Sequence, residues 1–122
     1  MKLTKSRLKQ IIREEIQNLK EGNMSTEARE LYLYTDNDGQ LYQQRREPIQ
    51  KNLMKKIEKG QYNSKLAVKG FMYLADAGSK KYGKDFGHTF SVSDRKQAAQ
   101  AFTDDFEEMI KVEYPELAKK MK

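Results

Sequence analysis

The chain contains no cysteine, no tryptophan, one histidine and two prolines in 122 residues. Without cysteine there are no disulfides and no thiolate metal site, and a reducing compartment is allowed. With His88 alone, no multi-histidine metal site forms within one chain. No apolar run approaches the roughly 20 residues a membrane span needs, and no apolar core of signal-peptide type stands near the start. Phosphate-binding and nucleophile-elbow signatures are likewise missing. Proline is confined to positions 48 and 115, so long helices are unobstructed elsewhere.

What remains is polar but foldable. Apolar residues make up 37% and charged residues 34% of the chain, yet seven tyrosines and five phenylalanines suffice to build a core. The length allows one compact domain plus a tail. The net charge of +6 is uneven: residues 1–21 and residues 22–122 each carry +3. The short opening segment therefore holds half the charge, and the body is only mildly basic.

Apolar periodicity predicts an all-α chain, a small bundle of three to four helices preceded by a separate amphipathic helix. In that first helix Leu8, Ile11, Ile12, Ile16 and Leu19 recur at spacings of three and four. Thr4 or Ser6 is its cap, Lys2, Lys5, Arg7, Lys9 and Arg13 share its other surface, and Glu21-Gly22-Asn23 ends it. The expected organisation is a docking or targeting helix over 1–21, a linker over 22–26 and a helical domain over 27–122.

Within the domain, 26–35 carries both strand and helix signals and is assigned as helix for want of a partner strand. Asp36-Asn37-Asp38-Gly39 is a turn or cap cluster, since neither register of a calcium loop places its glycine and its last acidic ligand correctly. A helix over 40–59 should kink or restart at Pro48, bury Ile49, Leu53 and Ile57, and stop at Gly60. Asn63 or Ser64 caps a central helix over 64–82, in which Ala75, Ala77 and Gly78 allow a close neighbour. After a loop over 83–90, Ser91 or Ser93 caps a helix over 93–112 with Ala98, Ala99, Phe102, Phe106, Met109 and Ile110 inward, and Pro115 restarts a short last helix.

The candidate chemistry is sparse. Asp85-Phe86-Gly87 matches the magnesium tripeptide of protein kinases but lacks every accompanying motif, and reads as a turn at Gly87. His88 has no evident acid–base partner, and the acidic pairs Asp104-Asp105 and Glu107-Glu108 read as a solvated helix face. No catalytic residue, cofactor or metal is therefore assigned, and the chain is expected not to be an enzyme. Lys51, Lys55 and Lys59 form a stripe that, with Arg45, Arg46, Lys80, Lys81 and Lys84, is the candidate set for phosphate contacts. The same lysines also suit an ordinary solvated surface.

The opening segment has four readings: a helix docked in the fold, a membrane-surface or transit helix, a helix that docks on a partner, or a removable address. Its apolar face lacks Trp and Phe, which weakens the membrane reading. The sequence Met-Lys-Leu-Thr-Lys-Ser-Arg-Leu-Lys-Gln-Ile-Ile-Arg-Glu-Glu-Ile resembles the start of small proteins of tailed phages, particularly marine relatives of the T-even type. Internal head proteins of that group carry capsid-targeting peptides, which the prohead protease removes after Leu or Ile, any residue, then Glu, before a small residue. Leu19-Lys20-Glu21 followed by Gly22 is similar to that site and falls at the helix–linker junction; Ile12-Arg13-Glu14 fits only in part.

Three further stretches resemble uncharacterised phage proteins. They are Leu31-Tyr32 with Asp36-Asn37-Asp38-Gly39, Pro48-Ile49-Gln50-Lys51-Asn52-Leu53, and Tyr73-Leu74-Ala75-Asp76-Ala77-Gly78 with Lys80-Lys81-Tyr82-Gly83. The resemblance implies capsid or scaffold partners for the N-terminal helix, and a location in the host cytoplasm during assembly, then in the virion interior. Non-specific contact with nucleic acid is a further expectation. A host-takeover or regulatory binding module, and a DNA-binding protein whose tail is the DNA arm, stand beside this reading.

Overall fold

The computed structural model describes residues 24–121. The stripe Leu8, Ile11, Ile12, Ile16 and Leu19 and the motif Leu19-Lys20-Glu21-Gly22 lie outside the described residues.

The fold is all-α, with no strand among the described residues. Helix α1 spans Thr26–Asp36, α2 Gly39–Leu41, a π-helical turn Tyr42–Arg46, α3 Glu47–Glu58, α4 Ser64–Phe86, α5 Val92–Glu113 and α6 Pro115–Ala118. The segment of mixed signals at 26–35 is helical because its inward residues recur at helical spacing: Ala28, Leu31, Tyr32 and Thr35 are all buried. Ser25 caps α1 by accepting the Ala28 amide at 3.0 Å. Its own amide and hydroxyl reach Gln97 and Asp94 of α5, each at 2.8 Å, so the body begins before the expected boundary at residue 27.

Helices α4 and α5 form an antiparallel hairpin through the short connection at 87–91, and α1 packs against both. Phe71 of α4 stands 6.1 Å, centroid to centroid, from both Phe102 and Phe106 of α5, and Tyr32 of α1 lies 4.8 Å from Phe102. All four side chains are essentially inaccessible to water, and each contributes about 1.5–3 kcal/mol of burial. Ile57 and Leu53 of α3 close the core on another side, while Ile49 is only partly buried.

The helix ends follow local rules. At the end of α3, Gly60 adopts φ +70° and its amide donates to Ile57, while the Gln61 amide donates to Lys56. These are the two bonds of the Schellman stop. The central helix runs past the expected end at 82 to Phe86 and stops at Gly87, φ +67°. Gly83 lies inside the helix and is no breaker, because its backbone remains in the hydrogen-bonded ladder and the Gly87 amide bonds its carbonyl at 2.8 Å.

Pro48 does not interrupt the chain so much as widen the turn before it. A helical Pro48 lacks the N–H owed to Gln44 and its ring crowds that carbonyl. The residues Tyr42–Arg46 adopt π geometry just there, and the Glu47 amide bonds Tyr42. Close packing explains another small residue: Gly78 of α4 lies against Thr35 of α1, where an added Cβ would overlap the Thr35 hydroxyl.

Candidate nucleic-acid interface

The candidate cations meet very different fates. Arg45 and Arg46 are adjacent on the π-helical turn, but their surroundings differ. The Arg46 guanidinium turns inward, 2.5 Å from Asp36 and 3.9 Å from Asp105, over the Phe102 ring. It is therefore a structural cation and not a surface for phosphate, which corrects the sequence-based expectation. Arg45 is exposed and lines a groove between the α2–π segment and α4.

That groove has a volume of about 740 Å³. On the α4 side it carries Tyr73, Lys80, Lys81 and Lys84; on the other side stand Gln40, Gln44 and Arg45. Helix α4 supplies its cations at positions 80, 81 and 84 because these recur on one face. The facing wall is fixed from below by Leu41, which is buried. Asp38 caps α2 by accepting the Leu41 amide at 2.9 Å, so the Asp36–Gly39 cluster serves as the cap that the sequence suggests.

Two carboxylates, Asp76 and Asp85, share the groove with four cations. Both are engaged from its edges. Asp76 accepts from Arg95 at 3.1 Å, and Asp85 accepts the Tyr34 hydroxyl at 2.7 Å. Burial together with Asp85 pushes the Tyr34 hydroxyl up to about 12. Lys81 is held by Asp38 at 2.5 Å, and the Lys81 hydrogen bond and the Leu41 amide keep the Asp38 carboxyl below its ordinary range. Among the described residues no ion pair engages Arg45, Lys80 or Lys84. Of the four cations that line the groove, these three stand outside any such pair.

Compared with family models, curated proteins and solved structures, the chain matches none.

Lys51 and Lys55 on α3 and Lys59 at its C-cap are exposed and do not line the groove; Lys51 pairs with Glu47 at 3.5 Å. The fold thus brings together Arg45, Lys80, Lys81 and Lys84 from the candidate set and leaves the α3 stripe elsewhere.

Other sequence-based readings are revised by long-range contacts. His88 does have an acidic neighbour: its Nε2 lies 2.5 Å from Glu27. The acidic face of α5 is not simply solvated. Asp105 accepts the Tyr32 hydroxyl, and Glu107 accepts both Tyr62 and Ser64 at 2.6 Å. Burial and Glu107 raise the Tyr62 pKa well above its ordinary value. These carboxylates are anchors for neighbouring elements.

No group of three His, Cys, Asp or Glu side chains suited to a metal ion occurs among the described residues. No helix among them is long and apolar enough to cross a membrane.

Proposed function

We propose that this chain is a non-catalytic, virion-associated binding protein of phage type, whose helical body makes weak, sequence-independent contacts with nucleic-acid phosphates. The observation that carries the contact reading is the convergence of Arg45, Lys80 and Lys84 on one groove with no competing ion pair among the described residues. A cation with no carboxylate partner retains its full attraction for a phosphate, and each phosphate it neutralises releases counterions.

The assignment to a phage head rests on residues 1–22, which resemble a capsid-targeting peptide with its cleavage site after Glu21. In this reading the opening segment docks on capsid or scaffold helices through Leu8, Ile11, Ile12, Ile16 and Leu19. Cleavage then severs that tether irreversibly, leaving the body in the particle interior.

Two measurements test the proposal. Binding of the full-length chain to mixed-sequence DNA should weaken steeply as salt rises; no binding, or salt-independent binding, contradicts the contact reading. Mass spectrometry of purified virions should find the protein beginning at Gly22; a protein retaining Met1, or absent from the particle, contradicts the head assignment.

A further inference from the structure

Tyr73 is the groove residue that phosphate binding leaves unused. It sits mid-helix in α4 with 67% of its surface exposed. Among the described residues it stacks on no other ring. By contrast, Tyr34, Tyr82, Phe86 and Phe90 pack on one another at 4.7–6.2 Å, and Tyr42 is near the Arg46 guanidinium. Exposed tyrosine alone is common. Here, however, it shares one stripe with the cations: Tyr73, Ala77, Lys80 and Lys84 follow at intervals of four, three and four. The helical rise puts Lys80 about 10 Å and Lys84 about 16 Å from Tyr73 along the axis. Between them Ala77 is too small to cover the ring's flank. Gln40 and Gln44 line the other wall; the Gln40 carbonyl accepts from Lys81 at 3.3 Å, and the remaining amide groups can donate to or accept from a base edge.

We propose that the groove takes single-stranded nucleic acid, with one base stacked on Tyr73 and successive phosphates on Lys80, Lys84 and Arg45. This rests on the phosphate-contact reading above and specifies its ligand. In a duplex the base faces are covered by their neighbours, so Tyr73 has nothing to stack on. In a single strand every base offers a free face, and an aromatic platform beside a cationic track binds such strands with little sequence preference. The ring and the cations then act separately. Stacking contributes affinity that salt does not screen, and the cations contribute the part that salt weakens.

The test uses the full-length chain, a short oligodeoxythymidine and a mixed-sequence duplex of equal length, with binding followed by fluorescence anisotropy over a salt series. The single strand should bind more tightly than the duplex. Tyr73→Ala should weaken single-strand binding about tenfold without changing its salt slope, and Tyr73→Phe should restore it. Lys80→Ala should instead reduce the slope by about 0.7. Equal or tighter duplex binding, or a Tyr73→Ala protein that binds like the parent, overturns the single-strand assignment and leaves the phosphate reading standing. Failure to bind either nucleic acid overturns both. Because Tyr73 is exposed, both variants should melt like the parent, so lost affinity does not reflect unfolding.

Discussion

The guanidinium carbon of Arg46 lies 4.9 Å from the centre of the Phe102 ring, joining the π-helical turn to the middle of the core. A cation over an aromatic face is stabilised by the ring quadrupole, more so when water is excluded. Here the side chains of Arg46 and Asp36 are only 11% and 7% exposed, and Asp105 lies within 3.9 Å of the same guanidinium.

Arg46→Ala should therefore be severe. It removes the charged hydrogen bond that Arg46 makes to the nearly buried Asp36 carboxylate and its contact with the Phe102 ring, a loss of about 2 kcal/mol. Arg45→Ala should change stability by less than about 0.5 kcal/mol. Urea unfolding of both variants checks this: a much lower midpoint for Arg46→Ala alone is expected, with m unchanged. Equal midpoints would show that the inward pair does not hold the turn.

The contact between Gly78 and Thr35 makes a second prediction. Gly78→Ala gains helix propensity of about 1 kcal/mol, but its new methyl collides with the Thr35 side chain. Thr35 is 2% exposed, so overpacking should dominate and leave a net loss of about 1–2 kcal/mol. In a Thr35→Ala background the penalty should shrink by about 1 kcal/mol, because the collision is with that side chain. A double-mutant cycle by thermal or urea unfolding reads the coupling; strict additivity would contradict the packing.

Asp38 links acid stability to the groove. Its folded pKa is lowered, chiefly by Lys81. A lowered carboxylate pKa stabilises the fold above the ordinary carboxylate range and loses that contribution as pH falls through the folded value, here below about pH 4. Asp38→Asn keeps an oxygen to cap the Leu41 amide but removes the charge. Its melting temperature should vary less with pH in that window than the parent's. The same change removes the carboxylate that neutralises Lys81 and leaves its longer hydrogen bond to Gln40 at 3.3 Å, so nucleic-acid affinity at neutral pH should rise a few-fold. Unchanged or weaker binding would argue against Lys81 facing the ligand.

Much of this fold was legible because its signals are local. Asn63 and Ser91 lie at the caps that the sequence suggests, and Gly60 and Gly87 take the left-handed geometry that ends helices. The inward spacing of Leu53, Ile57, Phe102, Phe106 and Ile110 follows from helical periodicity alone. The divergence of Arg45 and Arg46 was not legible. Neighbouring arginines look alike in sequence, and Arg46 is distinguished only by its contacts with Asp36, Asp105 and Phe102, which lie elsewhere in the chain. Lys81 likewise resembles Lys80 until Asp38, 43 residues away in sequence, takes it up. His88 with Glu27 and Tyr32 with Asp105 are pairs of the same kind. They are set by how α1 packs on the α4–α5 hairpin, and no short-range pattern encodes that.

The groove itself was half visible. Its lysines at 80, 81 and 84 stand out as a basic cluster, but nothing local joins them to Arg45 or separates them from Lys51, Lys55 and Lys59. Tyr73 carried no signal beyond its place in an otherwise apolar stretch. Its exposure follows from Phe71 and Leu74 taking the buried side of the same helix.

The most direct measurement compares the salt dependence of nucleic-acid binding for two triple variants of the full-length chain. One removes the groove cations through Arg45→Ala, Lys80→Ala and Lys84→Ala; the other removes the α3 stripe through Lys51→Ala, Lys55→Ala and Lys59→Ala. Both delete three positive charges. If the groove holds the phosphates, the first should lower the slope of log affinity against log salt by about 2 for a single strand and the second should leave it nearly unchanged. Equal losses from both would mean that general positive charge, and not this groove, draws the ligand.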